Sequence, residues 1–303
     1  MKNSASQRLL KTCWPVTIWL CINIKKQERG KMLSTVLASG FFWRAILAGS
    51  FLAVACGLLG VFLVWRQEAM ITHGLSHVAF AGIALGLVLN FLPLIVSLIV
   101  CVLGSLYILK LKQQTKLPGE TALAILSSAG MALAIFLVSL RMNFGVELMG
   151  YLFGDILAIS PVEVWLSVVL ALMVTVLILI HYHQLLYMTF DRETALVAGV
   201  KADRLDKILV ILMAITVVLG LRIVGLLLVS ALTVVPAASA LQLARSFRQA
   251  LILSTIFSLI SILAGMALAY LVNLPASASI VFLSLIIFLA TLGGKRLSPA
   301  LKK

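Results

Sequence analysis

From Ala45 to Leu292 the chain repeats one pattern: a stretch of about twenty apolar residues, the length a helix needs to cross a bilayer, then a short polar link. The stretches fall near Ala45–Trp65, Met70–Asn90, Leu92–Leu109, Thr121–Leu140, Trp165–Tyr187, Lys207–Leu221, Val224–Leu243, Ala250–Leu271 and Ser277–Leu292. Runs this long and this uniformly apolar are expected to be buried on all sides or to face lipid, so the fold class is all-α, a polytopic transmembrane helical bundle. The pattern gives nine spans. It gives eight if Lys207–Ala244 is one span plus a broken or re-entrant helix at Pro236, where a proline would free backbone carbonyls.

Composition sharpens this. Of 303 residues, 62% are hydrophobic and 11% charged, against about 45–50% and 25% in soluble domains. Eight or nine spans use about 160–180 residues and leave no room for a sizeable soluble domain. The net charge of +14 would suit nucleic acid, but the basic residues sit in short clusters between apolar runs, the pattern of cytoplasmic membrane loops. No nucleic-acid partner is expected. Alternate loops differ sharply: one set holds Arg66, Lys110, Lys112, Lys116, Arg192, Lys201, Arg204, Lys207, Arg245, Arg248, Lys295, Arg296, Lys302 and Lys303. The opposite set, counted from Met32, holds Arg44, Arg141 and Arg222. By the positive-inside rule the C-terminal tail, residues 300–303, is cytoplasmic and the protein sits in the cell membrane as a multi-pass protein.

Residues 1–31 form a basic extension whose apolar patch, Trp14 to Ile24, is too short to span. Its basic residues conflict with an external N-terminus, and Glu28, Arg29, Gly30 and Lys31 can be encoded by a purine-rich run like a ribosome-binding site. Translation is therefore expected to start at Met32, with the permease domain covering 32–299. Cys13, Cys21, Cys56 and Cys101 have no metal-type spacing and read as small apolar fillers.

Two imidazoles interrupt the apolar pattern at Met70–Gly86. His73 and His77, four residues apart, lie on one face of a helix, about 6 Å apart at Cβ, and can share an ion. The alternative is a neutral pair hydrogen-bonded to backbone or to Ser76. A metalloprotease reading fails because Gly74 stands where HExxH needs its general-base glutamate. His181 and His183 flank Tyr182 on different faces, so interfacial anchoring suits them better than a shared ion. Arg222 either marks an outer span end or pairs with a carboxylate inside a dimer, and Gly74, Gly82 and Gly86 form a small-residue stripe for close packing. The outer segment Arg141–Val164 is mildly acidic through Glu147, Asp155 and Glu163.

The largest cytoplasmic loop, 191–207, begins DRETALVAG, and Asp191, Glu193, Ala195 and Gly199 resemble the EAA loop of ABC-transporter permeases. No glycine-rich phosphate loop occurs, so ATP hydrolysis would belong to a partner and the chain is not itself an enzyme. Three longer stretches extend the resemblance: RQEAMITHGLSHVAFAGIALG (Arg66–Gly86), VELMGYLFGDILAIS (Val146–Ser160) and VGLLLVSALTVVPAASA (Val224–Ala240). In this order, over roughly Phe42 to Pro299, they are similar to the manganese, zinc and iron-type ABC permeases. The resemblance implies a homodimeric permease built like the type II cobalamin and siderophore importers, two cytoplasmic ABC ATPases at the 191–207 loop, and an extracytoplasmic metal-binding protein or lipoprotein. No cofactor would be bound permanently; a divalent zinc, manganese or iron ion would be the cargo. The family commonly has Asp, three residues, then His at the paired position. Here His73 replaces the aspartate, which tilts the site toward zinc or a later transition metal, and Glu68, Glu147 and Asp155 are the carboxylates available to complete its shell. Two other readings stay open, a metal-chelate permease with a wide, histidine-free path and a secondary, ion-coupled carrier.

Overall fold

The computed structural model describes residues 40–114, 119–140, 150–154, 159–272 and 274–297. The chain divides after Trp43, and the unit from Arg44 onward holds the helical bundle. The expected Met32 start and the 300–303 tail lie outside the described residues.

Among the described residues the eleven principal elements are all α-helices: α1 Gly40–Trp65, α2 Met70–Val88, α3 Pro93–Gln114, α4 Gly119–Ser139, α5 Pro161–Ile180, α6 Tyr182–Phe190, α7 Arg192–Val197, α8 Ala202–Ile223, α9 Leu226–Leu243, α10 Phe247–Val272 and α11 Ala276–Leu297. Seven of these are long and apolar enough to cross a membrane, and α8 with α9, bent by 116° at their junction, form a further broken or re-entrant pair.

Local chemistry sets the helix boundaries. α1 stops because Gln67 turns left-handed (φ 57°), which lets the Glu68 amide donate to the Leu63 carbonyl at 2.8 Å and the Gln67 amide to Val64 at 3.2 Å. This Schellman-type ending consumes carbonyls that a lipid-facing helix end could not leave bare. α2 ends in the same way at Asn90 (φ 51°), with the Phe91 amide donating to Gly86 at 3.0 Å. α5 opens with a full capping box: the Glu163 amide donates to Ser160 Oγ, the Ser160 amide donates to the Glu163 carboxylate at 2.8 Å, and Pro161 supplies the preset φ.

Two expectations need correction. The run placed at Trp165–Tyr187 is not one span: α5 starts earlier, at Pro161, and the helix breaks at His181 (φ −101°, ψ 16°) before α6. The apolar run resumes at Leu185, after only Tyr182, His183 and Gln184, which hides this break in the sequence. The 207–244 segment breaks at Val224–Gly225, where Gly225 takes φ +96°, beside the join expected between Leu221 and Val224 and not at the alternative Pro236, which lies inside α9.

The helix ends can be paired by their contacts. Trp65 at the end of α1 stacks on Phe190 (4.9 Å) at the end of α6 and on Phe247 (6.3 Å) at the start of α10. At the opposite end, Glu163 of α5 meets Arg222 of α8 at 3.1 Å. α2 is the most buried of the seven spans, held between α3 and α4. The small-residue stripe makes this possible: a Cβ on Gly82 or Gly86 would lie 2.6 Å from the Ser97 or Pro93 Cα of α3, a distance no side chain tolerates. Ser97 Oγ donates to the Ala79 carbonyl at 2.7 Å across the same crossing. Leu103, Val169, Leu172, Phe282 and Leu289 instead project outward from α3, α5 and α11, as lipid-facing residues do.

Candidate functional site

α2 is buried almost all round its circumference. Thr72, Gly74, Leu75, Ser76, Val78 and Ala79 are buried, whereas His73 is exposed and His77 half-buried. The two imidazoles therefore occupy an open stripe on an otherwise enclosed helix. Their Nε2 atoms lie 3.4 Å apart and the rings meet edge to face, centroids 4.7 Å apart. Two nitrogens each about 2.05 Å from one zinc ion at a tetrahedral angle would be about 3.3 Å apart, so the pair has the span of a shared ion.

The purely structural alternative required Ser76 or the backbone to satisfy the rings. Ser76 Oγ donates instead to the His73 carbonyl at 2.7 Å, and His77 Nδ1 is buried with no partner. The backbone of His77 is wedged by Gly130 of α4, where a Cβ would sit 3.0 Å from the His77 carbonyl, so the ring is held on a fixed base.

Among the described residues no third His, Cys, Asp or Glu joins the pair to make a three-ligand group. Glu68 lies in the turn before α2, its carboxylate 3.5 Å from Arg66. Glu147 and Asp155 lie outside the described residues. The remaining histidines make no second site: His181 Nδ1 is 3.3 Å from the Leu177 carbonyl, and His183 stacks on Tyr182. Arg222 has found its carboxylate, Glu163, and also lies 5.1 Å from the Tyr151 ring centroid.

The 191–199 stretch is a short helix, α7, built by its termini. Asp191 accepts from the amides of Glu193 (3.0 Å) and Thr194 (3.2 Å) and from the Thr194 hydroxyl. The Thr194 hydroxyl, then the amides, hold the Asp191 carboxyl below the usual carboxylate range. At the other end Gly199, at φ +82°, closes a Schellman motif: its amide donates to Leu196 and that of Val200 to Ala195, both at 3.0 Å. Ala195 is buried, Glu193 is exposed, and Leu196 and Val197 stand out into solvent, Val197 at 90% exposure. The loop is thus a rigid knob with an apolar tip.

Sequence reasoning missed a charge cluster at this end. Asp206, 4% exposed in α8, takes Arg66 Nη2 on Oδ1 at 2.7 Å and Arg192 Nη2 on Oδ2 at 3.3 Å, while Arg192 also holds Asp203 at 2.8 Å. The spacing of Asp203 and Asp206, three residues apart on one helix face, was the available signal.

Comparison with known proteins agrees with this architecture. The ABC 3 transport family matches residues 38–294. The high-affinity zinc uptake system membrane protein ZnuB of Haemophilus influenzae is 33% identical over 82% of this chain and 95% of its own length. The manganese transport system membrane protein MntC of Halalkalibacterium halodurans is 28% identical over 84% of this chain and 87% of its own. Among solved structures, PsaBC from Streptococcus pneumoniae, in complex with Fab, superposes with a TM-score of 0.77 at 26% identity, covering 86% of this chain and 94% of that one. A metal-chelate type ABC transporter in an inward-facing conformation shares the fold at 17% identity, TM-score 0.66, covering 85% and 90%. The chain belongs to the ABC 3 transport family and is a multi-pass membrane protein of that family.

Proposed function

We propose that the chain carries a divalent transition-metal ion, zinc before manganese or iron, across the cytoplasmic membrane into the cell, as one half of a homodimer. The observation that carries this reading is the His73–His77 pair, two nitrogens at ion-sharing distance on the open stripe of the most enclosed helix. Imidazoles facing lipid would be costly, so the stripe faces a second copy and a polar path between the two. Two ligands from one chain hold an ion weakly enough to release it, whereas a closed four-ligand shell would retain it. Glu68, Glu147 and Asp155 remain the carboxylates that would supplement the imidazoles.

Energy enters through α7. Asp191, Glu193, Ala195 and Gly199 build a knob that a cytoplasmic ABC ATPase grips, and an extracytoplasmic metal-binding protein delivers the ion to the opposite face. The basic end of the bundle, with Arg66, Arg192 and Arg245, is then cytoplasmic, as is the C-terminus. The relatives named for zinc and manganese support the cargo class. Reconstituting the permease with its ATPase in liposomes tests the reading: zinc uptake is expected to require ATP and to vanish when the ATPase nucleotide site is destroyed. Uptake that persists without ATP hydrolysis would identify a secondary carrier and overturn it.

A further inference from the structure

We propose that Asp206 is a positioning residue that ties the coupling helix α7 to the turn leading into the histidine helix α2, so that movement of the ATPase repositions His73. The inference rests on the reading of α7 as the ATPase contact and of the histidine pair as part of the ion path.

A carboxylate that is 4% exposed is unfavourable unless both its oxygens are satisfied. Asp206 satisfies them with two arginines from different parts of the chain. Oδ1 takes Arg66, 140 residues away in sequence, and Oδ2 takes Arg192, 14 residues away. Arg192 is the first residue of α7. Arg66 lies in the turn that leads into α2: its Nε is 3.5 Å from the Glu68 carboxylate, and the Glu68 carbonyl accepts the Ile71 amide at 3.0 Å, two residues before His73. One carboxylate thus joins the two elements whose motions transport has to couple.

The same face of α8 touches α2 again seven residues on, where Met213 Sδ lies 4.0 Å from the buried Thr72 hydroxyl. Asp206 therefore holds the turn before α2 through Arg66, and Met213 meets α2 itself at Thr72, from two levels of one helix. A charge-assisted bond resists both push and pull, whereas an apolar contact of similar size slides. Arg192 is further held to α8 by Asp203, so α7 is tied to α8 at two carboxylates and Arg66 is the link to the turn before α2.

The test uses the complete transporter in liposomes, with zinc as the probe, and reads three quantities: co-purified ATPase, basal ATP hydrolysis and zinc ions moved per ATP hydrolysed. Asp206→Asn keeps shape but loses charge. It is expected to retain the ATPase and basal hydrolysis within about twofold while ions moved per ATP fall at least tenfold, with Asp206→Glu restoring at least half. If Asp206→Asn fails to assemble, Arg66→Gln breaks the link from the other side and is expected to show the same fall. An unchanged ratio in the assembled variant overturns the relay while leaving the transport reading intact. Absence of ATP-driven zinc uptake in the wild type overturns both.

Discussion

At the scale of single residues, the proposed selectivity rests on the chemistry of two side chains. His73 and His77 present nitrogen only, and imidazole suits zinc better than it suits manganese, which favours carboxylate oxygen. His73→Asp would install a hard oxygen ligand one helical turn before the retained His77. It is expected to lower zinc uptake relative to manganese uptake by about tenfold or more, the order by which one changed ligand or its supporting contact alters a metal site. Competition between the two ions in the reconstituted transporter measures this; an unchanged ratio would mean that selectivity is set elsewhere. The spacing of the pair was legible, because residues four apart share a helix face whatever surrounds them. That the imidazole face is the one left open was not legible, since only the neighbours α3 and α4 decide which stripe they leave uncovered. The partner of Arg222 was hidden for a related reason: Glu163 lies 59 residues away, and no local rule pairs them.

At the scale of elements, α7 is the part most open to test, because its six residues depend on their caps more than on burial. Gly199 sits at φ +82° with open space where a Cβ would stand, so Gly199→Ala meets no clash and suffers only the left-handed backbone cost of about 1 kcal/mol. It is expected to fray the knob and weaken ATPase association several-fold, with Gly199→Asn milder, as a binding titration of purified ATPase would register. The Asp191 cap works in a defined pH range. Its carboxyl is lowered in the folded protein, so the cap stabilises fully above the free carboxylate value of about 4. That contribution is lost only as pH falls through the lowered value. ATPase association should therefore be insensitive to this group between about pH 5 and 8. A steep loss within that window would show that another group governs the contact. The spacing of Asp191, Glu193, Ala195 and Gly199 in DRETALVAG marked this loop in the sequence, while its caps and its end at Gly199 came from the structure. The break at His181 could not be read from the sequence, because the apolar run resumes at Leu185 only four residues on, whereas the join between the runs ending at Leu221 and starting at Val224 lay beside the break at Gly225.

At the scale of the whole molecule, the chain's alternation of apolar runs and short basic links was enough to place a helix at every expected position. The structure adds the lateral order: α2 enclosed between α3 and α4, α10 packed on α9 and α11, and α8 reaching both α2 and α3. That order brings α7, the buried Asp206 and the turn before α2 together at one end of the bundle. Long-range ion pairs such as Arg66–Asp206 make this junction, and they become visible only once the helices are packed. On this account the imidazole pair is a transient station through which the ion passes. The most direct measurement is zinc uptake by the complete, assembled transporter carrying His73→Ala together with His77→Ala. The account predicts that uptake falls at least tenfold while the ATPase still co-purifies; wild-type uptake in that assembled variant would contradict it.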